Sequence, residues 1–230
     1  MVTTGERIER AALELFAEKG FAATGIREIA ERAGISSGAL YHYMGTKEDL
    51  LAQVMNRGNA RMLYLAQAAL DGADGAAERL ARLVTVHVYV HAHAQLDALV
   101  IDNELRSLTG EARSRVMGLR DRYEVLWRDA LSDGRAEGTF RFNELGIARL
   151  ALLEMCTGVA RWYSPRGPVD DRTLGTTFVD MAFGLLNACG PDDRRLTHAD
   201  VAIPDPHVLA TAIAPELAEV GETTGGWSAT

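Results

Sequence analysis

Apolar residues recur three and four positions apart along most of this chain, and they never alternate over a useful length. That spacing restricts the fold to packed helices, since a half-buried strand needs a period of two. Ile8, Ala11, Ala12, Leu15 and Phe16 open the pattern, and Gly20 is placed to end that helix as a C-cap. Ile26, Ile29, Ala30 and Ala33 form a second, shorter helix, with Thr24 as the natural N-cap and Gly34 at its end. Ser36 caps a third through Tyr43, which Gly45 interrupts. Thr46 caps a fourth, with Glu48 and Asp49 in its first turn, and the pattern continues through Leu50, Leu51, Val54 and Met55 to about Leu70.

Asp71-Gly72-Ala73-Asp74-Gly75 is the clearest break in the chain. Beyond it, long helical segments are expected over about 76–94, 96–108, 110–136, 143–163 and 170–189. Ser164-Pro165-Arg166-Gly167-Pro168 forces a sharp reversal, so the last two long helices should pack antiparallel. After Gly190-Pro191 the chain turns polar. The expected fold is all-α, with about nine helices. A three-helix N-terminal domain spans 1–55, a larger helical bundle spans 56–190, and a polar tail spans 191–230 with one short helix at 206–220.

Composition narrows the function. The net charge of −8 provides no extended basic surface for coating DNA, although a short docking element with a few donors is compatible with it. No run approaches the roughly 20 apolar residues of a membrane span. The N-terminus carries neither the basic nor the apolar stretch of a signal peptide, and Cys156 and Cys189 are too few for a disulfide framework or a zinc site. A reducing cytoplasm, with no membrane partner, is expected.

The segment from Thr24 to Lys47 is the most informative. Two short helices flank the turn Ala33-Gly34-Ile35, and the second begins with the small, polar run Ser36-Ser37-Gly38-Ala39. This is the pattern of a helix-turn-helix, whose second helix enters the major groove with its N-terminal residues at the base edges. Small residues let that helix approach the duplex closely, and its free N–H groups suit phosphate. Tyr41 and Tyr43 offer hydroxyls to phosphates, Leu40 anchors the helix inward, and Lys47 adds a cation near the backbone.

The run Phe21-Ala-Ala-Thr-Gly-Ile-Arg-Glu-Ile-Ala-Glu-Arg-Ala-Gly-Ile-Ser-Ser-Gly-Ala-Leu-Tyr-His-Tyr-Met-Gly-Thr-Lys-Glu-Asp-Leu50 resembles the signature of the TetR family of transcriptional repressors, and the likeness extends without a gap from Ala11 to about Met55. The resemblance implies DNA contacts at Thr24, Arg27, Ser36, Ser37, Gly38, Tyr41, His42 and Lys47. Met44 stands where the family usually has phenylalanine, which softens local packing. The resemblance also implies a homodimer, a palindromic double-stranded operator and a small-molecule inducer. In that dimer the last two long helices, around Leu150–Leu153 and Phe178–Leu186, pair with their copies, and Gly158, Ala160, Ala182 and Gly184 permit close approach.

Further along, Arg135–Phe142 and Val159–Pro168 are similar to a branch of the family that answers to acyl-CoA thioesters. Trp127 and the run Arg161-Trp162-Tyr163 carry that likeness. It implies an amphipathic ligand whose phosphate or thioester pairs with a cation while the bundle takes the acyl part. His87 and His91 share a helix face at metal-capable spacing, and Glu104 could join them. Hydrogen-bonded histidines are commoner, so neither a metal nor a cofactor is expected. His87, Tyr89, His91, Asn103, Glu104 and Trp127 are read instead as polar groups lining a ligand pocket. Two rivals remain at this point: a TetR-type regulator of an efflux pump that senses lipophilic drugs, and an enzyme with a fused helix-turn-helix.

Overall fold

The computed structural model describes residues 3–212, and within them the regular backbone is helical apart from one isolated antiparallel bridge between Cys189 and Arg195. The chain divides into two compact units. The first unit holds α1 (Thr4–Lys19), α2 (Ile26–Ala33), α3 (Ser37–Met44), the start of α4 (Lys47–Leu70), nearly all of α6 (Gln95–Asn103), a 3-10 turn (Leu105–Ser107) and the start of α7 (Gly110–Ala136). Its short helices end where local chemistry makes them end. Thr3 and Glu6 cap α1 reciprocally. Gly34, at φ 68°, supplies the left-handed residue that closes α2 and opens the turn. The Ser36 hydroxyl accepts the Ala39 N–H to start α3. Ile8, Leu15, Phe16, Ile29, Leu40, Met44, Leu51, Val54 and Met55 share one core with Val100, Leu108 and Val116. Met44 is therefore a core residue, as its place at the end of α3 requires.

The second unit is built on α5 (Gly75–His93), joined by the rest of α4 and α7, α8 (Leu145–Thr157), α9 (Val159–Trp162), α10 (Asp171–Leu185) and α11 (Pro206–Ala212). α5 packs against α8, α9, α10 and α11, and it is buried along almost its whole length, from Ala76 to Ala92. Such a helix must be apolar all round or must find partners for every polar side chain. Gly175 of α10 faces Thr85 of α5, and a Cβ there would be in ordinary contact with the Thr85 methyl at 3.4 Å. Gly134 on α7 makes room for the Phe140 ring, which a Cβ would meet at 2.1 Å.

Several boundaries differ from the periodicity. Gly25, not Thr24, is the N-cap of α2: Glu28 accepts the Gly25 N–H at 2.7 Å, while the Thr24 hydroxyl donates back to Gly20 O at 2.8 Å. The segment expected over 96–108 stops at Asn103 and continues as the 3-10 turn. The segment 143–163 divides at Gly158 into α8 and α9, and α10 ends at Leu185, after which Asn187 takes a left-handed φ of 47°.

The polar stretch after Gly190 is held to the second unit by directed bonds. The bridge at Cys189 and Arg195 folds it back, His198 donates its backbone N–H to Asp180 on α10 at 2.6 Å, and Arg82 on α5 donates to Ala202 O at 3.1 Å. Charges and backbone groups make these contacts, so hydropathy periodicity had nothing to register. Of the helix expected at 206–220, Pro206–Ala212 forms α11, and 213–220 lie outside the described residues.

Candidate nucleic-acid interface and sensor core

α3 turns Leu40 and Met44 inward, which leaves the opposite face open. Tyr41 is 54% exposed and Tyr43 56%; His42, Ser36 and Gly38 are exposed with them, while Ser37 and Ala39 are half-buried. A Cβ added at Gly38 would meet nothing within 4 Å, so the helix presents bare backbone beside its hydroxyls. Arg27 is exposed on α2, whereas Arg32 on the same helix is bound to Glu14 and Glu18. A short polar helix with an exposed arginine nearby, in a chain of net charge −8, suits docking into one groove rather than wrapping a duplex.

Two residues assigned to DNA by sequence are occupied within the protein. Thr24 is buried, with its hydroxyl on the Gly20 and Leu15 carbonyls. Lys47 Nζ donates to Phe21 O at 2.7 Å and to Thr24 O at 2.8 Å, and it lies 4.3 Å from the centroid of the Phe21 ring. Its charge braces the α1–α2 turn.

The second unit contains a buried polar cluster. His87 Nδ1 is 2.8 Å from the Tyr123 hydroxyl, and its Nε2 is 3.0 Å from the Thr157 hydroxyl. His91 Nδ1 donates to the His87 carbonyl at 2.9 Å, which leaves Nε2 as the acceptor of the neutral ring. The two imidazoles stack at 4.0 Å, three degrees from parallel, and Trp127 meets His87 edge-on at 5.6 Å. Trp127 is fully buried, and its indole N–H lies beside the Tyr123 hydroxyl without a well-formed hydrogen bond.

Burial decides the charges in this cluster. It pushes the His87 pKa well below its ordinary value, helped by the neighbouring His91, and it lowers His91 to about 4. It also pushes up the Tyr123 hydroxyl and the Cys156 thiol. At neutral pH the cluster is polar and uncharged throughout.

His87, His91 and Trp127 thus come together, and Tyr123 and Thr157, which periodicity did not single out, complete the group. Tyr123 precedes Trp127 by one helical turn, the only signal that could have found it. Tyr89 is half-buried on α5 beside His93, with ring centroids 4.5 Å apart. The run 161–163 divides: Arg161 and Trp162 are exposed, and Trp162 stacks on Phe178 at 6.3 Å. Tyr163 turns inward and donates to Asp171 at 2.8 Å, and burial together with that carboxylate pushes its hydroxyl up to about 12. Asn103 and Glu104 belong to the first unit; Asn103 is exposed, and Glu104 accepts the Phe21 N–H at 3.0 Å. Among the described residues, no group of three or more His, Cys, Asp or Glu is placed to hold a metal, and no helix is long and apolar enough to cross a membrane.

A helix-turn-helix joined to a helical unit with a buried polar core defines a DNA-binding regulator with a sensor. The comparisons agree. Residues 8–54 match the bacterial regulatory proteins of the tetR family, and residues 73–186 match the tetracyclin repressor-like C-terminal domain. The chain is 30% identical over 193 residues to the HTH-type transcriptional repressor KstR2 of Mycobacterium tuberculosis, covering 81% of this chain and 94% of the relative. A tetR-family regulatory protein from Rhodococcus RHA1 superimposes with a TM-score of 0.75 at 30% identity, over 83% of this chain and 100% of that one. AibR in complex with isovaleryl coenzyme A and operator DNA shares the fold, with a TM-score of 0.70 at 23% identity over 78% of this chain and 97% of that one. This chain belongs to the TetR family: it is a ligand-responsive transcriptional repressor.

Two histidines kept neutral by burial make stability depend on pH. Their folded pKa values lie below the unfolded value of about 6.5, so below that pH the unfolded chain binds more protons than the folded one. The histidine contribution is intact above pH 6.5 and is lost as pH falls toward the folded values. Between pH 6.5 and 5 the unfolding free energy, measured by denaturant titration, should fall with a slope for each histidine that rises from about 0.7 toward about 1.4 kcal/mol per pH unit. His91→Gln should remove about half of that slope. A flat profile across this range would contradict the buried neutral pair.

Proposed function

We propose that this protein acts in the cytoplasm as a homodimer on a palindromic operator, and that a coenzyme A thioester or a similarly amphipathic ligand releases it. The observation that carries the ligand class is the uncharged cluster of His87, His91, Tyr123, Trp127 and Thr157 inside an otherwise apolar bundle. Neutral donors and acceptors suit a thioester or keto oxygen, and an ionised group would be costly to place there. Exposed Arg161 beside Trp162 is available to phosphate. KstR2 and the AibR complex add weight as relatives in sequence and fold. The efflux reading needs a site for lipophilic cations, and this cluster contributes no carboxylate to one. For the enzyme reading, Cys156 is held protonated by burial, the reverse of an activated nucleophile.

The dimer reading rests on an apolar surface. Ile147 is 69% exposed and Leu150 52% on α8, while Met181 is 49% and Leu185 41% exposed on α10. Exposed apolar residues clustered on two helices mark an interaction surface, and a two-fold dimer sets two recognition helices about 34–36 Å apart, one turn of DNA. Gly184 is exposed on this face, and a Cβ there meets nothing within 4 Å, so a larger side chain fits the isolated chain. Gly184→Leu should shift the dimer toward monomer in sedimentation equilibrium, since overpacking an interface costs about 1–3 kcal/mol per site. A wild-type protein that sediments as a monomer at micromolar concentration would refute the dimer.

Calorimetry with isovaleryl-, octanoyl- and palmitoyl-coenzyme A, the matching free acids and cationic dyes tests the ligand. A thioester should bind and weaken operator affinity, with about 5.5 kcal/mol of differential affinity needed to swing occupancy from 99:1 to 1:99. Arg161→Ala should leave operator binding intact and blunt the release. Heat from the dyes alone, or an Arg161→Ala variant that responds like wild type, would shift the assignment to a drug-sensing regulator.

A further inference from the structure

We propose that His91 Nε2 and the Thr157 hydroxyl together form a subsite for a neutral hydroxyl group on the ligand, so that the sensor selects a hydroxylated acyl chain over the saturated one. The inference rests on the reading that a ligand enters the buried cluster, and it adds which ligands the cluster selects.

The hydrogen bonds around His87 run in one direction. The ring is neutral, so one of its nitrogens donates and the other accepts. Nδ1 faces the Tyr123 hydroxyl at 2.8 Å, and Nε2 faces the Thr157 hydroxyl at 3.0 Å. If Nδ1 donated, the Tyr123 O–H would be left buried without an acceptor. The opposite assignment satisfies both groups. Tyr123 donates to Nδ1 and leaves its oxygen to the Trp127 N–H beside it, while Nε2–H donates to Thr157 Oγ. Thr157 then has a proton of its own to give, and no described residue accepts it. Thr85 on α5 shows the usual outlet for such a proton, a bond to the carbonyl four residues back, and Thr157 makes no such bond.

His91 supplies the opposite group. Its Nδ1 is committed to the His87 carbonyl, which can only accept, so Nε2 is an acceptor whichever way the His87 bonds run. The side chain is buried, and burial keeps it neutral by lowering its pKa to about 4. No described residue donates to Nε2. A spare acceptor and a spare donor thus flank the same imidazole, one on the ring stacked 4.0 Å from it and one at its edge. The donor sits where α8 ends, and Thr157 and Gly158 are only half-buried there. Apart from chain neighbours, only two α8 carbonyls come within 4 Å of a Cβ built at Gly158, both at 3.5 Å, so no facing helix closes that position.

A hydroxyl donates and accepts through one atom. It can donate to His91 Nε2 and accept from Thr157, whereas a ketone can only accept and a methylene does neither. A carboxylate or an ammonium would bring a charge into a cluster with nothing to compensate it. Sites that hydrogen-bond a ligand hydroxyl reject the analogue lacking it more strongly than an apolar pocket rejects one methylene, because buried partners are left unpaired.

Calorimetry on the full chain with octanoyl-, 3-oxooctanoyl-, 3-hydroxyoctanoyl- and 8-hydroxyoctanoyl-coenzyme A tests the subsite. The readout is the ratio of affinities for hydroxylated and saturated chains. The better of the two hydroxylated thioesters should bind at least about tenfold tighter than octanoyl-coenzyme A, with the oxo compound between them. Thr157→Val keeps the shape, removes the hydroxyl and should cut that ratio to about threefold or less; Thr157→Ser should restore it. His91→Phe keeps a stacking ring without the acceptor and should lower the ratio in the same way. If that variant does not fold, the threonine series decides alone. A saturated or oxo chain that binds as tightly as the hydroxylated ones, or a preference that survives Thr157→Val, would overturn the subsite and leave the thioester reading in place. Failure of all four thioesters to bind would bring down that reading, and this one with it.

Discussion

Burial of α5 is the constraint on which the sensor unit depends. A helix packed against α8, α9, α10 and α11 leaves no water for the side chains it buries, yet these include Thr85, His87 and His91. Each must find a partner inside, and each does: Thr85 on the Ala81 carbonyl, His87 on Tyr123 and Thr157, His91 on the His87 carbonyl. The arrangement fixes α7 and α8 relative to α5 through directed bonds as well as through packing. It also keeps the interior uncharged, because an imidazolium there would have no counterion close by. The Trp127 N–H stands apart as the buried donor of this cluster without a well-formed bond.

The first unit answers to a different constraint. Its helices are too short to hold their own directions, since isolated helices of this length are marginal in water. Direction comes from the turns between them and from the core they share with Val100, Leu108 and Val116. At the α1–α2 turn the control is electrostatic, through Glu104 and Lys47. At the start of α7 it is Glu48, which accepts both the N–H and the hydroxyl of Thr109. The first turn of α4 therefore grips two segments at once, Lys47 one and Glu48 the other. The exposed face of α3 inherits its aim from these bonds.

Much of this was legible from residue spacing. The all-helical class and the helix-turn-helix within Thr24 to Lys47 follow from periodicity and capping residues, and the TetR family from the resemblance of one long motif. His87, His91 and Trp127 were also recognisable as polar or aromatic residues on apolar helices. What spacing could not show is the direction in which a long charged side chain turns. Lys47 at the head of a helix looks like a phosphate ligand until the Phe21 and Thr24 carbonyls are found beside it. Glu104 looks like a pocket carboxylate until its helix is placed in the first unit. Thr24 has the residue type of an N-cap, but a cap is defined by geometry, and Glu28 gives that role to Gly25. Thr157 carries no local signal, and Tyr123 only its place one turn before Trp127, because tertiary packing brings both to His87.

We propose that a ligand occupies the buried cluster, and amide hydrogen exchange tests that most directly. The measurement compares the free protein with the protein saturated by the tightest-binding thioester. Exchange should slow along 84–92 of α5 and 123–128 of α7, which carry the cluster. Protection confined to the exposed stripes of α8 and α10, with the cluster unchanged, would contradict the account.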